Sequence, residues 1–214
     1  MSVSNGLVGS LSLSLNTLQI PLFKPAIIQY KSFTDDTIIT AILQNLLAFM
    51  DTINPSSSSS STHQWKYHVF LSFRGEDTRN NFTDHIYAAL NQKGVYTFRD
   101  DEKLERGEPI SPMLLKAIED SLFAIVVLSK NYASSTWCLD ELVKIMDCRK
   151  NMGLIVLPIF YDVEPTVVRE QTKTYAQAFV EHEKHFNKNL KKVHTWRAAL
   201  TDVSNLSGWS LEDG

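Results

Sequence analysis

The sequence predicts an α/β domain on a parallel sheet, over about residues 66–212 of a 214-residue chain. Three observations carry this. Nearly pure apolar runs occur at Tyr67–Phe73, Phe123–Leu128 and Leu154–Tyr161, the pattern of strands covered on both faces. Between them lie segments of helical length whose apolar positions recur at three- and four-residue steps. Strand and helix alternate, which favours right-handed crossovers and places ligand-binding loops beyond the carboxyl ends of the strands.

Residues 1–64 are expected to form a poorly ordered extension with a Ser-rich linker, and residues 65–212 the domain. Met1–Tyr30 hold one charge, Lys24, and no basic start followed by an unbroken apolar run, so a signal peptide is not expected. Ile38, Ile42, Leu46 and Phe49 recur at near-helical spacing, which predicts a marginal amphipathic segment over 38–50, too short to span a bilayer. It could dock on something, fray, or serve membrane-surface or organelle targeting. Ser56–Ser61 bury no apolar area and read as a flexible linker.

After the first strand, Arg74–Thr78 is a polar loop with Gly75. Phe82, Ile86, Ala89 and Leu90 give a helix over 78–91, capped by Asp77 or Thr78. Val95–Phe98 is a short strand. Ser111 and Pro112 open a helix with the stripe Leu114, Leu115, Ile118 and Leu122. The next helix carries Leu139, Leu142, Val143 and Met146 and ends at Gly153. Pro158 lacks a donor, which argues for a bulge or an edge-side position within its strand. Helices follow at Tyr175–Phe186 and Val193–Val203, and Leu206–Trp209 closes the domain.

A formal net charge of −3 gives no support to a nucleic-acid partner. The two cysteines, Cys138 and Cys148, lack metal-ligand spacing and read as reduced, partly buried thiols. The glycosylation patterns at Asn81 and Asn205 fall in folded segments and read as chance. No GxGxxG, P-loop, HExxH or GxSxG motif occurs, and His182 and His185 read as a solvated helix face.

Trp137 and Glu141 lie four apart on a helix and share a face. Glu141 points away from Leu139, outside the expected core stripe, and could look into the groove above the strand ends. A carboxylate beside an indole could bind a sugar or stabilise positive charge at an anomeric carbon. A solvated first-turn glutamate is the plain alternative. The charged loop 99–109 could cover a site, bind a partner, or be solvated.

Five ordered motifs carry a resemblance: YHVFLSFRGEDTR (67–79), FRDDEKLERGEPI (98–110), SKNYASSTWCLDELVKI (129–145), VLPIFYDVEPTVVREQT (156–172) and NLSGW (205–209). Together they resemble the TIR domain of plant intracellular immune receptors, over about residues 65–212. The resemblance implies a flavodoxin-like three-layer sandwich with a five-stranded parallel sheet. It implies cleavage of NAD+ to nicotinamide and ADP-ribose or cyclic products, signalling defence and cell death; a non-catalytic TIR–TIR adaptor is the alternative. Glu141 matches the family's catalytic glutamate. Phe73, Arg74, Gly75, Arg99 and Trp137 are the implied NAD+ contacts, with no metal and no cofactor beyond the substrate. Self-association is implied through the 78–91 helix, the 193–203 helix and the 99–109 loop. A location in the cytoplasm, with the nucleus as a second site, and no transmembrane segment are expected. Asp84-His85 replaces the family's Ser-His pair on the first helix, and Lys173 and Ala176 stand where glycines are common.

Overall fold

A computed structural model describes residues 28–29, 35–53, 65–99 and 111–211. The strands are β1 (Ile28–Gln29), β2 (Tyr67–Phe73), β3 (Thr97–Arg99), β4 (Ser121–Ser129), β5 (Ile155–Tyr161) and β6 (Trp209–Leu211). They form one parallel sheet in the order β1-β6-β5-β4-β2-β3. The five strands β2–β6 are the expected flavodoxin-like sheet, flanked by helices. β1, from the extension, adds a two-residue strand at the β6 edge. Every residue of β4 is buried, as its apolar run requires of a central strand.

The helices are α1 (Asp35–Ile53), α2 (Gly75–Thr78), α3 (Phe82–Gln92), α4 (Pro112–Glu119), α5 (Thr136–Met152), α6 (Pro165–Glu170), α7 (Lys173–His185) and α8 (Leu190–Ser204). One face of the sheet packs against α4–α8 around Phe70, Val126, Leu142 and Trp196. The other packs against α1 and α3 around Leu71, Ile86, Phe123 and Ile159. Alternation along β2 makes the split: Phe70 belongs to the first cluster and Leu71 to the second.

Several expectations are corrected. The extension is not uniformly poorly ordered: α1 buries Ile38, Ile39, Ile42, Leu43, Leu46 and Phe49 on the sheet and α3. The helix has 19 residues, longer than the 38–50 segment, and by length and composition alone could cross a membrane. The helix expected over 78–91 is two pieces. Asn81 caps α3, its Oδ1 accepting from the Phe82 N–H at 2.7 Å. Thr78 instead accepts from the Thr83 hydroxyl at 2.8 Å. The strand at 95–98 lies at Thr97–Arg99, and Leu122 belongs to β4 rather than to the helix before it.

Pro158 makes no bulge. It keeps register with Val126 of β4, and the β6 ladder begins only at Ile159. A Cβ on Gly208 would come within 2.4 Å of the Pro158 carbonyl oxygen, so glycine there lets β6 reach its neighbour. α6 lies inside the expected loop 162–173. Lys173 has φ 53°, a left-handed conformation that glycine adopts freely. Gly153 ends α5 at φ 77°, as expected of a helix C-terminus. Most of the loop 99–109, residues 100–109, lies outside the described residues, as do the Ser56–Ser61 linker, Lys24 and the other residues of 1–27.

Candidate functional site

Helix α5 starts where Ser135 Oγ accepts from the Cys138 N–H at 3.3 Å, which fixes its first turn across the carboxyl end of β2. The buried stripe of α5 is Cys138, Glu141, Leu142, Ile145 and Cys148, with Leu139 beside it. Glu141 therefore belongs to the inward face, where the sequence reading had placed it outside. It is 4% exposed. The steps 138, 141, 145, 148 are a regular helical stripe, and the carboxylate within it masked the apolar signal.

Glu141 Oε2 accepts from Ser72 Oγ at 2.7 Å. Ser72 also meets Tyr132 Oη at 3.1 Å, and that phenol donates to the Cys138 carbonyl at 3.0 Å. Ser72 and Tyr132 are fully buried; both stand inside the motifs 67–79 and 129–145, and neither was singled out there. Their signal was positional: Ser72 is a lone hydroxyl in the apolar run of β2, and Tyr132 precedes the helix bearing Glu141. Burial, with the Glu141 charge nearby, pushes the Cys138 thiol up to about 12. Tyr132 is raised too, first by burial.

Trp137 is half-buried on the same cluster. Its Nε1–H is buried and has no acceptor among the described residues. A buried orphan donor costs free energy, and a ligand oxygen would satisfy it.

Arg74 pairs with Glu76 and, at 3.4 Å, with Asp77. Asp77 Oδ2 also accepts from Ser129 Oγ at 2.6 Å and the Asn131 N–H at 3.0 Å. Asp77 thus ties the turn after β2 to the end of β4, a role its position in the motif did not announce. Gly75 leaves room for Arg79: a Cβ there would lie 2.9 Å from the Arg79 guanidinium, which sits 5.0 Å from the Phe73 ring centroid.

Glu141 and Trp137 share the first turns of α5, and Arg74 lies close enough to act on Cys138. The Phe73 side chain belongs to the opposite face, and only its carbonyl meets α5, accepting from Cys138 Sγ at 3.5 Å. Arg99 is turned to α3, bonding Asp84 at 2.5 Å and stacking 4.1 Å from the Tyr87 ring centroid. The structure therefore does not bring Arg99 to Glu141. That ion pair gives Asp84 a base within its own chain. His182 is also corrected: it is 7% exposed and its ring bonds the Ala133 carbonyl at 2.8 Å.

A cleft of ≈ 290 Å³ opens at the carboxyl ends of β4, β5 and β6. Lys130, Asp162, Glu164, Lys173, Thr174 and Ser210 line it, and Glu141 does not. Among the described residues no group of three or more His, Cys, Asp or Glu side chains could hold a metal ion.

Residues 66–214 match the family described as TIR domain. The TMV resistance protein N of Nicotiana glutinosa is 55% identical over 152 residues, which cover 71% of this chain and 13% of that protein. Disease resistance protein RUN1 of Vitis rotundifolia is 58% identical over 152 residues, 69% of this chain and 11% of that one. The chain thus spans only about an eighth of the length of these relatives. Among solved structures, the TIR domains of the activated Roq1 resistosome, which directly recognises the pathogen effector XopQ, are 55% identical with a TM-score of 0.64. That match covers 68% of this chain and 88% of the other.

Proposed function

Because this chain belongs to the TIR domain family, we propose that it cleaves the bond between nicotinamide and ribose in NAD+. Nicotinamide and ADP-ribose or a cyclic product would result, as a plant defence signal raised by self-association. The observation that carries this reading is the Glu141 carboxylate, nine-tenths buried one helical turn from Trp137 at the loop-bearing end of the sheet.

Nicotinamide leaves as a neutral base from a cationic ring, so it needs no acid. The C1′–N bond breaks and its electron pair stays on the ring nitrogen. Positive charge develops at C1′ and its ring oxygen, where a carboxylate in a dry setting stabilises it strongly. Trp137 Nε1 would donate to a ribose oxygen. Water, or an adenine nitrogen of the same molecule, then attacks C1′. Attack by water gives ADP-ribose and one proton, and attack by adenine gives the cyclic product. Arg74, already paired with Glu76 and Asp77, is a weak phosphate contact, and Arg99 serves the α3 surface.

The test is nicotinamide release from NAD+ by the full chain at high protein concentration. Glu141→Gln, which keeps the shape, should lower release by at least about 100-fold. Equal release from both proteins would sink the reading. The burial of Glu141 also favours a second reading: a carboxylate held by Ser72 can serve the fold alone, in an adaptor that binds other TIR domains. Self-association would use the exposed His85 and Ala88 of α3, the outer face of α8 and the 99–109 loop. That reading gains if surface changes there abolish signalling while Glu141→Gln preserves it.

A further inference from the structure

Three oxygen–oxygen contacts run in series beneath α5: Glu141 Oε2 to Ser72 Oγ at 2.7 Å, Ser72 Oγ to Tyr132 Oη at 3.1 Å, and Tyr132 Oη to the Cys138 carbonyl at 3.0 Å. They join β2, the 3-10 turn Tyr132–Ser134 and the first turn of α5. The Cys138 carbonyl can only accept. When Glu141 is ionised, it too can only accept. Two hydroxyl protons then serve the two end acceptors, and the middle contact, the longest of the three, holds none. When Glu141 carries a proton, all three contacts fill in one direction, Glu141 to Ser72 to Tyr132 to Cys138. Rotation of the Ser72 hydroxyl alone converts one arrangement into the other, while Tyr132 keeps donating to the Cys138 carbonyl. No buried donor is left without an acceptor in either.

We infer that Ser72 and Tyr132 are positioning residues, a two-hydroxyl relay that holds the Glu141 carboxylate in place and lets it accept a proton without leaving its site. The inference rests on the NAD+-cleaving reading and gives the relay a task within it. Ionised Glu141 faces the developing charge at C1′. As water attacks, its oxygen bonds to C1′, one O–H bond breaks, and the proton passes to Glu141. Ser72 then turns its hydroxyl from Glu141 to Tyr132. The proton later leaves Glu141 for solvent, and the relay turns back.

Other charged and titratable groups face this site. Arg74 and Asp77 come from the turn after β2, Cys138 from α5 itself, and Tyr175 from α7 beyond Tyr132. Arg99 of β3 is engaged by Asp84. Lys116 and Glu119 of α4 and Lys144 of α5 pair among themselves and with Asp120, and Asp140 of α5 pairs with Lys192 of α8. The hydroxyl substitutions below change only Ser72 and Tyr132, so these charges stay common to every protein compared.

The relay predicts shifts of opposite sign. Ser72→Ala removes a donor to the ionised carboxylate. The acid limb of the pH profile of nicotinamide release should move up by about one unit, with kcat about 10–100-fold lower near neutrality and KM little changed. Tyr132→Phe keeps that donor but removes the acceptor that the protonated state needs, so its limb should move down. Ser72→Thr should return the limb to its wild-type place. The same midpoints should appear in an infrared titration of the carboxylate band, assigned by its loss in Glu141→Gln. That readout needs no turnover, and if Ser72→Ala does not fold, Tyr132→Phe and Ser72→Thr carry the comparison. Limbs and midpoints that coincide with wild type in Ser72→Ala and Tyr132→Phe overturn the relay, whatever the rates. If Glu141→Gln releases nicotinamide as fast as wild type, the underlying reading fails instead.

Discussion

His182 shows how one residue couples burial to pH. Its ring lies between Phe179, Phe186 and Trp196, and in the neutral form its Nε2–H donates to the Ala133 carbonyl. Burial is the main cause that holds its pKa below the ordinary 6.5, with His185 and Arg197 adding to it and the Ala133 bond opposing. The sign follows from proton counting. Below pH 6.5 the unfolded chain takes up a proton that the folded chain refuses, so stability falls as pH drops through that window and is level above it. Denaturation midpoints should fall between about pH 7.5 and about pH 5.5, and fall less in His182→Gln. An equal fall in both proteins would remove His182 from the account. This burial was legible in part: Tyr175, Ala178, Phe179, His182 and Phe186 recur at helical steps, and the charged residues between them hid the stripe. Glu141 was hidden for the converse reason, a carboxylate standing where the period called for an apolar side chain.

Helix α1 was half legible. Its apolar period at 38, 42, 46 and 49 gave the helix, but its docking surface exists only once β4, β5 and β6 lie side by side. Phe49 meets the Phe123 ring edge-on at 5.3 Å, a contact between residues far apart in the chain. Ile42 and Leu46 are fully buried there. Ile42→Ala should therefore cost about 2–5 kcal/mol, read as a lower denaturant midpoint with an unchanged slope. A change below about 0.5 kcal/mol, the range of surface substitutions, would mean that the helix is not docked in solution. The break between α2 and α3 was not legible, because residues 74–81 carry no apolar side chain whose period could mark where one helix stops and the next starts. What ends α2 is the three-residue polar run 79–81, with Asn81 restarting the helix through its own side chain. The strands were the most legible elements, since a run buried on both faces needs no partner to be recognised.

The sheet divides the molecule into two independent apolar layers, and this bears on assembly. α3 belongs to one layer and α8 to the other, so contacts through both helices use separate patches on opposite sides. Asp84, the departure on the first helix, spends its charge on Arg99 within the chain, and Asp35 of α1 lies 3.8 Å from His85. The α3 surface is thus partly engaged from within before any second copy arrives.

The docking of α1 has a practical corollary. The described residues before position 54 reach the rest of the fold through the β1–β6 ladder and the α1 stripe, and the covalent path onward runs through 54–64. A protease recognition sequence placed in that stretch would turn a tether into a bimolecular equilibrium, trading local concentration for intrinsic affinity. The severed pieces should co-elute at high concentration and part on dilution, the larger one then binding a fluorescent apolar dye. Pieces that part at every concentration would show that the tether alone keeps the helix in place.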